Sequence, residues 1–323
     1  MPLDKRSHSK TNRYKLYLLL AIATLACISA WRLVMPFANA EPERTTLTAA
    51  HFAQVSAQMF AQTAAPNYRT YELPQATAHV VTLPAGTRLS IAVADELTTV
   101  ETFAQQQNAL AVINGGFFDP QNGKTTSHII IQGQTVGNPA ANERLMENPD
   151  LSPYINQILN RSEFRVYQCR TSAQTSKMRY EIAVHNALDT ALPGSCMLVS
   201  LLGAGPQLLP QDTSAIEAFT DYENGEIIRD AIGSRQPNAR SAIALTSDGS
   251  ILLIMVAQRL DAPGMTLAEV TELAASLGAV QLLNLDGGSS SALYYNGQTY
   301  LGRLEANGDP IERPVKSVIL IGQ

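Results

Sequence analysis

The sequence predicts an α+β fold, in which a large mixed β-sheet core carries a few packed helices within a single main domain. Short β-prone runs recur from Tyr68 to Ile321 and are separated by turns rich in Pro, Gly and Asn. Only two segments have clear helix signals, one in each half of that region. At 323 residues the chain can bury a large core, and its aliphatic, Gly and Pro contents are typical of globular proteins.

The first 40 residues differ in kind from the rest. Five basic residues precede an apolar run from Leu16 to Trp31, and Ala38-Asn39-Ala40 has the form of a signal cleavage site. The pattern predicts a signal peptide or, alternatively, an uncleaved N-terminal membrane anchor. Residues 41–66 are expected to form a helical or flexible spacer before the main domain of residues 67–323. We therefore expect an exported protein, located in the periplasm, the cell envelope or outside the cell.

The charge balance argues against a nucleic-acid partner. Residues 1–40 hold six of the 23 basic and one of the 28 acidic residues, which leaves a net charge of about −10 on the remainder. Such a domain is repelled by phosphate backbones.

Two cysteines remain after the signal segment. In an oxidising compartment Cys169 and Cys196 predict a disulfide bond, and two buried free thiols are the alternative.

The first half of the domain reads as strands around one short helix. Predicted strands cover Tyr68–Leu73, His79–Leu83, Arg88–Ala94 and Leu110–Ile113, and Thr98 with Glu101 has capping-box spacing for a helix before the fourth strand. That strand ends at Asn114-Gly115-Gly116, followed by Phe117 and Phe118. The two Phe are core residues or, if the turn is a site, a platform for the face of a sugar.

The middle of the chain has fewer signals. Asn122-Gly123 predicts a hairpin turn, because the spacing of a phosphate loop is absent. Residues 138–162 predict a long surface excursion. Strands are expected at Phe164–Gln168, Tyr180–His185, Met197–Leu201 and Gln207–Leu209, and residues 212–232 form a charged connection without a clear pattern.

The last third repeats the arrangement of helix, strand and Gly-Gly turn. Ser241–Leu245 and Ile251–Val256 predict a hairpin, and Thr266 with Glu269 caps a helix that ends at Gly278. The next strand stops at Asp286-Gly287-Gly288. This turn is either an ordinary hairpin turn or a site where backbone amides and serine hydroxyls converge on an anion.

The candidate chemistry follows from what the sequence lacks. The five histidines are scattered, so a zinc site is disfavoured, and no G-x-S-x-G motif presents a serine nucleophile. Polar residues at strand ends remain. An arginine beside Gly-rich turns suits a phosphate, and a pair of carboxylates suits glycosyl transfer to water.

Six motifs, in order, resemble the phosphodiester glycosidase domain family over Tyr68–Ile321. They are Ile113–Asp119, Gly203–Pro206, Ala239–Gly249, Gly264–Ala274, Asn284–Leu293 and Glu312–Val315. The resemblance implies an α+β fold and hydrolysis of a sugar-1-phosphodiester bond in a phosphorylated or phosphodiester-linked glycan. The sequence departs from the family pattern at Ser241, Ala244 and Ser289, and near Ala257-Gln258.

The combined prediction assigns catalysis to Asp286, Glu312 and Asn114. It assigns substrate binding to Gly115, Gly116, Phe117, Phe118, Arg240, Asn284, Gly287, Gly288, Ser289, Ser290 and Arg313.

The expected mechanism places Asp286 at the anomeric carbon, as nucleophile or as base for a water. Arg240 and the Gly287-Gly288 amides are expected to hold the phosphate. Glu312 is the second carboxylate or, alternatively, an ion-pair partner of Arg313. No cofactor is required by this scheme.

Two other functions remain open at this point. A metal-dependent phosphodiesterase would use Asp119, Asp286 and Glu312 as oxygen ligands for a divalent cation. A non-catalytic module would bind phosphorylated glycans in the same cradle.

Overall fold

The computed structural model describes residues 65–172, 174–186 and 194–322, which belong to one compact unit, Thr63–Gln323. The predicted signal or anchor segment, residues 1–40, lies outside the described residues, as does nearly all of the spacer of residues 41–66. Within the described part of the chain, no helix is long and apolar enough to cross a membrane.

Within the described residues, the strands divide among three sheets and one separate hairpin, and their pairings are antiparallel. Numbered in chain order and given in spatial order, the first sheet contains β1 (Asn67–Leu73), β2 (Ala76–Leu83), β14 (Ile251–Ala257), β13 (Arg240–Thr246), β15 (Ala279–Asn284) and β10 (Gln207–Leu209). The second sheet contains β17 (Gln298–Leu301), β16 (Ala292–Tyr295), β4 (Ala109–Asn114), β18 (Val315–Gly322) and β3 (Ser90–Thr98). The third contains β6 (Gln134–Gly137), β5 (Ile129–Ile131), β9 (Cys196–Gly203), β7 (Ser162–Arg170) and β8 (Ser176–Val184), and the hairpin pairs β11 (Thr220–Glu223) with β12 (Glu226–Asp230).

The α+β class and the single main domain are confirmed. The core differs from the single large sheet expected from the sequence, because its strands form three antiparallel sheets. Short turns join many consecutive strands, and a tight turn can only connect antiparallel neighbours.

Apolar side chains from all three sheets meet in one central core. Leu253 of the first sheet, Ile113 of the second and Phe164 of the third are fully buried there. Burial of large aliphatic and aromatic side chains is the main favourable term in folding, so this cluster fixes the sheets against one another.

Helices cover the outer faces of two sheets. Helix α1 (Val100–Gln106) packs Phe103 on the second sheet, and helix α4 (Leu267–Ser276) packs Val270 on the first. Two single-turn helices, α2 (Glu143–Met146) and α3 (Ile155–Ile158), lie in the predicted surface excursion.

The helix caps show one confirmed prediction and one error. Thr266 and Glu269 form the capping box expected at α4, and Gly278 ends that helix region with a φ of +90°. At α1 the cap is Thr99, whose side chain accepts a hydrogen bond from the amide of Thr102. The prediction of Thr98 was wrong by one residue, because Thr98 still pairs with β18 as the last residue of β3.

Two hairpins with Asn-Gly turns were missing from the sequence prediction. Both are closed by Asn-Gly turns, at Asn224-Gly225 and Asn296-Gly297, in which all four residues have positive φ. Asn-Gly is the preferred pair for such turns, so the signal was present in the sequence. The omission matters because β17, after the second turn, leads directly to Arg303.

The predicted disulfide is confirmed. Cys169 and Cys196 are paired neighbours on β7 and β9, and their sulfur atoms are bonded. The bond joins two strands of the third sheet.

Candidate active site

The two Gly-Gly turns predicted from the sequence meet in space. The amide of Asp286 donates a hydrogen bond to the carbonyl oxygen of Gly115 at 3.0 Å. The side chain of Asn114 donates to the carbonyl oxygen of Asp286 at 2.7 Å. The end of β4 in the second sheet is therefore joined to the end of β15 in the first.

Asn114 lies behind this junction. Its side chain is completely buried, and its Oδ1 accepts hydrogen bonds from Ser241 Oγ at 2.6 Å and from the amide of Ala292 at 3.1 Å. The amide group is thus engaged on both its nitrogen and its oxygen. The structure corrects the catalytic assignment of Asn114, because a side chain used in this way positions Asp286 and does not face a substrate.

Gly115 and Gly116 are required by close packing. Their amides donate to the carbonyl oxygen and the hydroxyl of Ser317, at 2.7 and 3.2 Å. A Cβ atom on Gly116 would lie 2.1 Å from the carbonyl oxygen of Gly203. The expected substrate-binding role of these two glycines is corrected, since their donors are occupied within the protein.

Gly287 and Gly288 also have occupied amides. Gly287 donates to Asp286 Oδ1 at 3.0 Å, and Gly288 donates to the carbonyl oxygen of Ala239 at 2.8 Å. Gly288 has a φ of +61°, which glycine adopts without strain. The predicted anion cradle of Gly287 and Gly288 amides is therefore not formed, and the turn instead shapes the backbone around Asp286.

The carboxylate of Asp286 lies at the centre of the candidate site. Burial raises its pKa to about 6, against the opposing effects of a hydrogen bond with Ser290, the charge of Arg313 and the Gly287 amide. Removal from water disfavours the charged form of a carboxyl group. A carboxyl group with a pKa near 6 can exchange a proton close to neutral pH, as a general base requires.

Arg313 supplies the cation beside Asp286. Its Nη1 donates to Ser289 Oγ at 2.8 Å, and its guanidinium carbon lies 5.5 Å from the centre of the Phe118 ring. Phe118 is 9% exposed and belongs to the core beneath the second sheet. The ring and the serine hydroxyl together orient the guanidinium next to the carboxylate.

A second cation, Arg303, was missed by the sequence prediction. Its Nη1 would lie 3.6 Å from a Cβ atom on Gly288, which places the guanidinium against the turn. Its side chain is exposed, and no acceptor within the described residues bonds to it. Predicting β17 would have drawn attention to this residue, because Arg303 follows the strand by two positions.

Arg240 has a different role from the one expected. Its Nε, Nη1 and Nη2 atoms donate to the main-chain oxygens of Met265, Ile232, Gly233 and Gln236 at 2.6–3.0 Å, and the side chain is 2% exposed. Burial lowers its pKa to about 10. The structure corrects the phosphate-binding assignment, because this guanidinium ties the loop before β13 to the loop before α4.

Two further predicted residues flank the turns. Asn284 is buried and donates to the carbonyl oxygen of Gly205 at 2.8 Å, while its Oδ1 has no hydrogen-bond partner within the described residues. Phe117 is half-buried, and its ring centre lies 5.5 Å from that of Phe219. Phe117 is the more exposed ring of the Phe pair, and Phe118 is the core residue.

The two other carboxylates proposed from the sequence are not engaged with Asp286. Glu312 is exposed and forms no hydrogen bond or ion pair with the described residues, so the alternative ion pair with Arg313 is not formed. Asp119 accepts from Arg144 Nε at 2.8 Å. Within the described parts of the chain, no group of three His, Cys, Asp or Glu residues could hold a metal ion.

Comparison with solved structures finds chains that are similar to this one. The catalytic domain of zebrafish N-acetylglucosamine-1-phosphodiester alpha-N-acetylglucosaminidase, auto-inhibited by its pro-peptide, matches with a TM-score of 0.56 and 17% identity, over 80% of this chain and 83% of that chain. A hypothetical protein from Synechocystis matches with a TM-score of 0.45 and 21% identity, over 79% of this chain and 62% of that chain. A chain described as a "Putative exported protein" from Burkholderia pseudomallei matches with a TM-score of 0.47 and 17% identity, over 77% of this chain and 74% of that chain. At 17% identity, the likeness to the zebrafish domain concerns the fold alone.

Comparison with protein families covers the candidate site itself. No curated protein matches the chain. Residues 107–322 match the phosphodiester glycosidase family, and this range includes both Gly-Gly turns, Asp286, Arg303 and Arg313. Because the match covers more than half of the sequence, the chain belongs to the phosphodiester glycosidase family.

Proposed function

We propose that this domain hydrolyses the bond between the anomeric carbon of a sugar and the phosphate of a phosphodiester, releasing the free sugar and a phosphomonoester. The observation that carries the proposal is the half-buried carboxyl group of Asp286, with a pKa of about 6, beside the guanidinium of Arg313. In this pair, Asp286 attacks the anomeric carbon or deprotonates a water molecule, and the guanidinium of Arg313 binds the departing phosphate.

Asp286 acts at the anomeric carbon in its ionised form. It attacks directly as a nucleophile, forming a glycosyl ester that a water molecule then hydrolyses to free the sugar and the carboxylate, or it removes a proton from the water whose oxygen bonds to that carbon. In either route the bond between the anomeric carbon and the phosphate oxygen breaks, and its electron pair leaves with the phosphate. The anomeric configuration of the first product, read by NMR, separates the two routes.

Arg313, Arg303 and the Ser289 hydroxyl hold the phosphate. Both guanidinium groups lie against the 287–289 turn, and a guanidinium binds phosphate through two parallel N–H donors. A phosphate leaves as a stable anion, so electrostatic stabilisation supplies more of the rate than protonation of the leaving group. Glu312 is the second carboxylate of this scheme, and its free side chain assists in proton transfer.

The proposed substrate is a glycan carrying a phosphodiester-linked sugar, encountered after export. The name of the zebrafish relative supports a sugar-1-phosphodiester, and the half-buried ring of Phe117 offers an apolar face to a sugar. The N-terminal signal pattern and the disulfide support export. We propose that no metal ion or other cofactor takes part.

The test is a screen of the full chain against phosphodiester-linked sugars, with free sugar and free phosphomonoester measured separately. Asp286→Asn is expected to lower turnover by about a thousandfold or more, as loss of a catalytic group does in other enzymes. Asp248→Asn is the matched control, because Asp248 lies in the exposed turn between β13 and β14, at the far end of β13 from Arg240. Activity should survive a chelator. Near-normal turnover in Asp286→Asn would refute the assignment.

A further inference from the structure

The main chain that follows β17 folds back on itself between two arginines. The amide of Ile311 donates a hydrogen bond to the carbonyl oxygen of Arg303 at 2.8 Å, which closes residues 303–311 into a loop. We call these residues the Arg303 loop. Arg313 follows the loop by two positions. The conformation of the loop therefore determines how the two arginines are placed relative to each other.

Gln258 bonds to the residues on both sides of Arg303. Its main-chain amide donates to the carbonyl oxygen of Gly302 at 2.7 Å, and its Oε1 accepts from the amide of Leu304 at 3.2 Å. Its Nε2 donates to the carbonyl oxygen of Pro263 at 2.8 Å, so the side-chain amide is engaged at both ends. One side chain thus holds the main chain immediately next to the arginine.

Gly302 connects this contact to the turn that follows Asp286. Its amide donates to the carbonyl oxygen of Ser291 at 2.8 Å, and a Cβ atom on Gly302 would lie only 2.6 Å from the Cβ of Ser291. Ser291 comes directly after the single helical turn Gly288–Ser290. The start of the Arg303 loop is therefore packed tightly against the candidate site.

The segment that carries Gln258 is itself anchored. Gln258 directly follows β14, all of which is buried. The next residue, Arg259, donates through Nη1 to the carbonyl oxygen of Leu73 at 3.1 Å and through Nη2 to that of Pro74 at 3.3 Å. The main chains of Arg259 and Ala262 exchange two hydrogen bonds, at 2.9 and 3.0 Å. Gln258 can therefore act as a fixed support for the more exposed Arg303 loop.

We propose that Gln258 is a positioning residue, which holds the Arg303 loop so that the guanidinium of Arg303 stays against the 287–289 turn. The inference rests on the proposed function, in which Arg303 and Arg313 together hold the phosphate. Gln258 touches neither the phosphate nor the sugar in this scheme and acts through Arg303. Donors that are already in place stabilise a developing charge without reorganising during the reaction.

The probe is methyl phosphate, a phosphomonoester of the kind that the proposed reaction releases, and its binding to the full chain is measured by calorimetry. Gln258→Met keeps the main-chain amide and the length of the side chain but removes both side-chain hydrogen bonds. We expect this variant to bind methyl phosphate about three- to tenfold more weakly, the range that corresponds to the loss of one hydrogen bond.

Gln168→Met is the matched control. Gln168 is exposed on β7 of the third sheet, and its Nε2 donates to the hydroxyl of Ser176 at 2.9 Å. The same change of side chain there removes a hydrogen bond that has no part in the Arg303 loop. Binding of methyl phosphate should stay as in the parent protein.

A double-mutant cycle with Arg303→Gln separates positioning from a general loss of stability. Arg303→Gln alone should weaken binding about tenfold or more, because a charge-assisted contact is lost. If Gln258 acts through Arg303, adding Gln258→Met to this variant should change binding by less than about twofold. A purely structural role would give the same further loss with and without the arginine. The kcat/KM for a sugar-1-phosphodiester should follow the same cycle.

Melting temperatures confirm that each variant is folded. If Gln258→Met unfolds, Gln258→Asn takes its place in the cycle, because its side chain is shorter by one methylene group and does not reach the amide of Leu304.

Three results would overturn the inference. They are no binding of methyl phosphate to the parent protein, unchanged binding in Gln258→Met, and an equal loss in the presence and absence of Arg303. If the cycle shows coupling but Asp286→Asn still turns over a sugar-1-phosphodiester, the proposed function fails and the positioning role stands. If Asp286→Asn is inactive and the two substitutions act independently, the proposed function stands and the positioning role fails.

Discussion

Asn114 Nδ2 lies 2.7 Å from the main-chain oxygen of Asp286, and this hydrogen bond connects residues that are 172 positions apart in the sequence. One belongs to the second sheet and the other follows a strand of the first. The position of the proposed catalytic carboxylate is thus set by a buried amide on a different sheet, and not only by its own strand.

Asn114→Ala is expected to lower the free energy of unfolding by about 2–4 kcal/mol, because it leaves several buried polar groups without partners. The groups are the carbonyl oxygen of Asp286, the hydroxyl of Ser241 and the amide of Ala292. Urea denaturation measures the change. Asn307→Ala, in an exposed turn, serves as the control and should change stability by less than about 0.5 kcal/mol. Equal stability of the two variants would contradict the central role of Asn114.

Ionisation of Asp286 should control the pH dependence of the reaction. Its pKa is about 6, so kcat/KM is expected to rise with pH up to this value and then level off. Arg313→Gln removes a charge that lowers this pKa, and the midpoint should therefore move to higher pH. A pH–rate profile of both proteins gives the answer, and a midpoint that moves to lower pH would exclude Asp286 as the titrating group.

The same pKa predicts a gain of stability in Asp286→Asn. Because the pKa is raised from 3.8 to about 6 on folding, the carboxyl group favours the native state below pH 4 and loses that contribution as the pH rises to 6. The difference in melting temperature between the variant and the parent should therefore grow between pH 4 and pH 6 and stay constant above. A difference that does not change with pH would show that the carboxyl group titrates normally in the native protein.

Gly116→Ala should be severely destabilising, with a loss of about 3 kcal/mol or more, because its Cβ atom would lie 2.1 Å from the main-chain oxygen of Gly203. Gly322→Ala is the control, since a Cβ atom there meets no atom within 4 Å and the residue has no positive φ. Thermal unfolding of the two variants tests the prediction. Similar melting temperatures would mean that the third sheet can move away from the turn.

Glu312→Gln should have a smaller effect on turnover than Asp286→Asn. The departing phosphate needs little protonation, so we expect a loss of about tenfold at pH 7 in kcat, which is below the roughly hundredfold or more that general acid–base groups usually contribute. Steady-state kinetics on a sugar-1-phosphodiester measures this. A loss as large as that of Asp286→Asn would make Glu312 an equal partner in the chemistry.

Local patterns in the sequence predicted most strands, both longer helices and both Gly-Gly turns. These features depend on residues close together in the chain, such as Thr266 with Glu269 at the start of α4. Which side chains keep free donors depends on distant parts of the chain. Arg240 begins β13 and Arg303 follows β17, yet the first is enclosed by four main-chain oxygens and the second is exposed.

The same dependence on distant residues explains why the amides of the paired glycines were wrongly predicted to be free. Their pairing near Asp286 suggested free amides for an anion, but close contacts from Ser317 and Ala239 occupy three of those donors. Nothing in the sequence around Gly115 or Gly288 indicates that contact.

The position of Ser317 in the sequence determines how late in synthesis the candidate site can form. It holds both Gly115 and Gly116, and it lies on β18, which follows every other strand of the domain in the sequence. A fragment that ends before β18 lacks the support for the turn that positions Asp286. The candidate site should therefore become active only after β18 has been synthesised and paired.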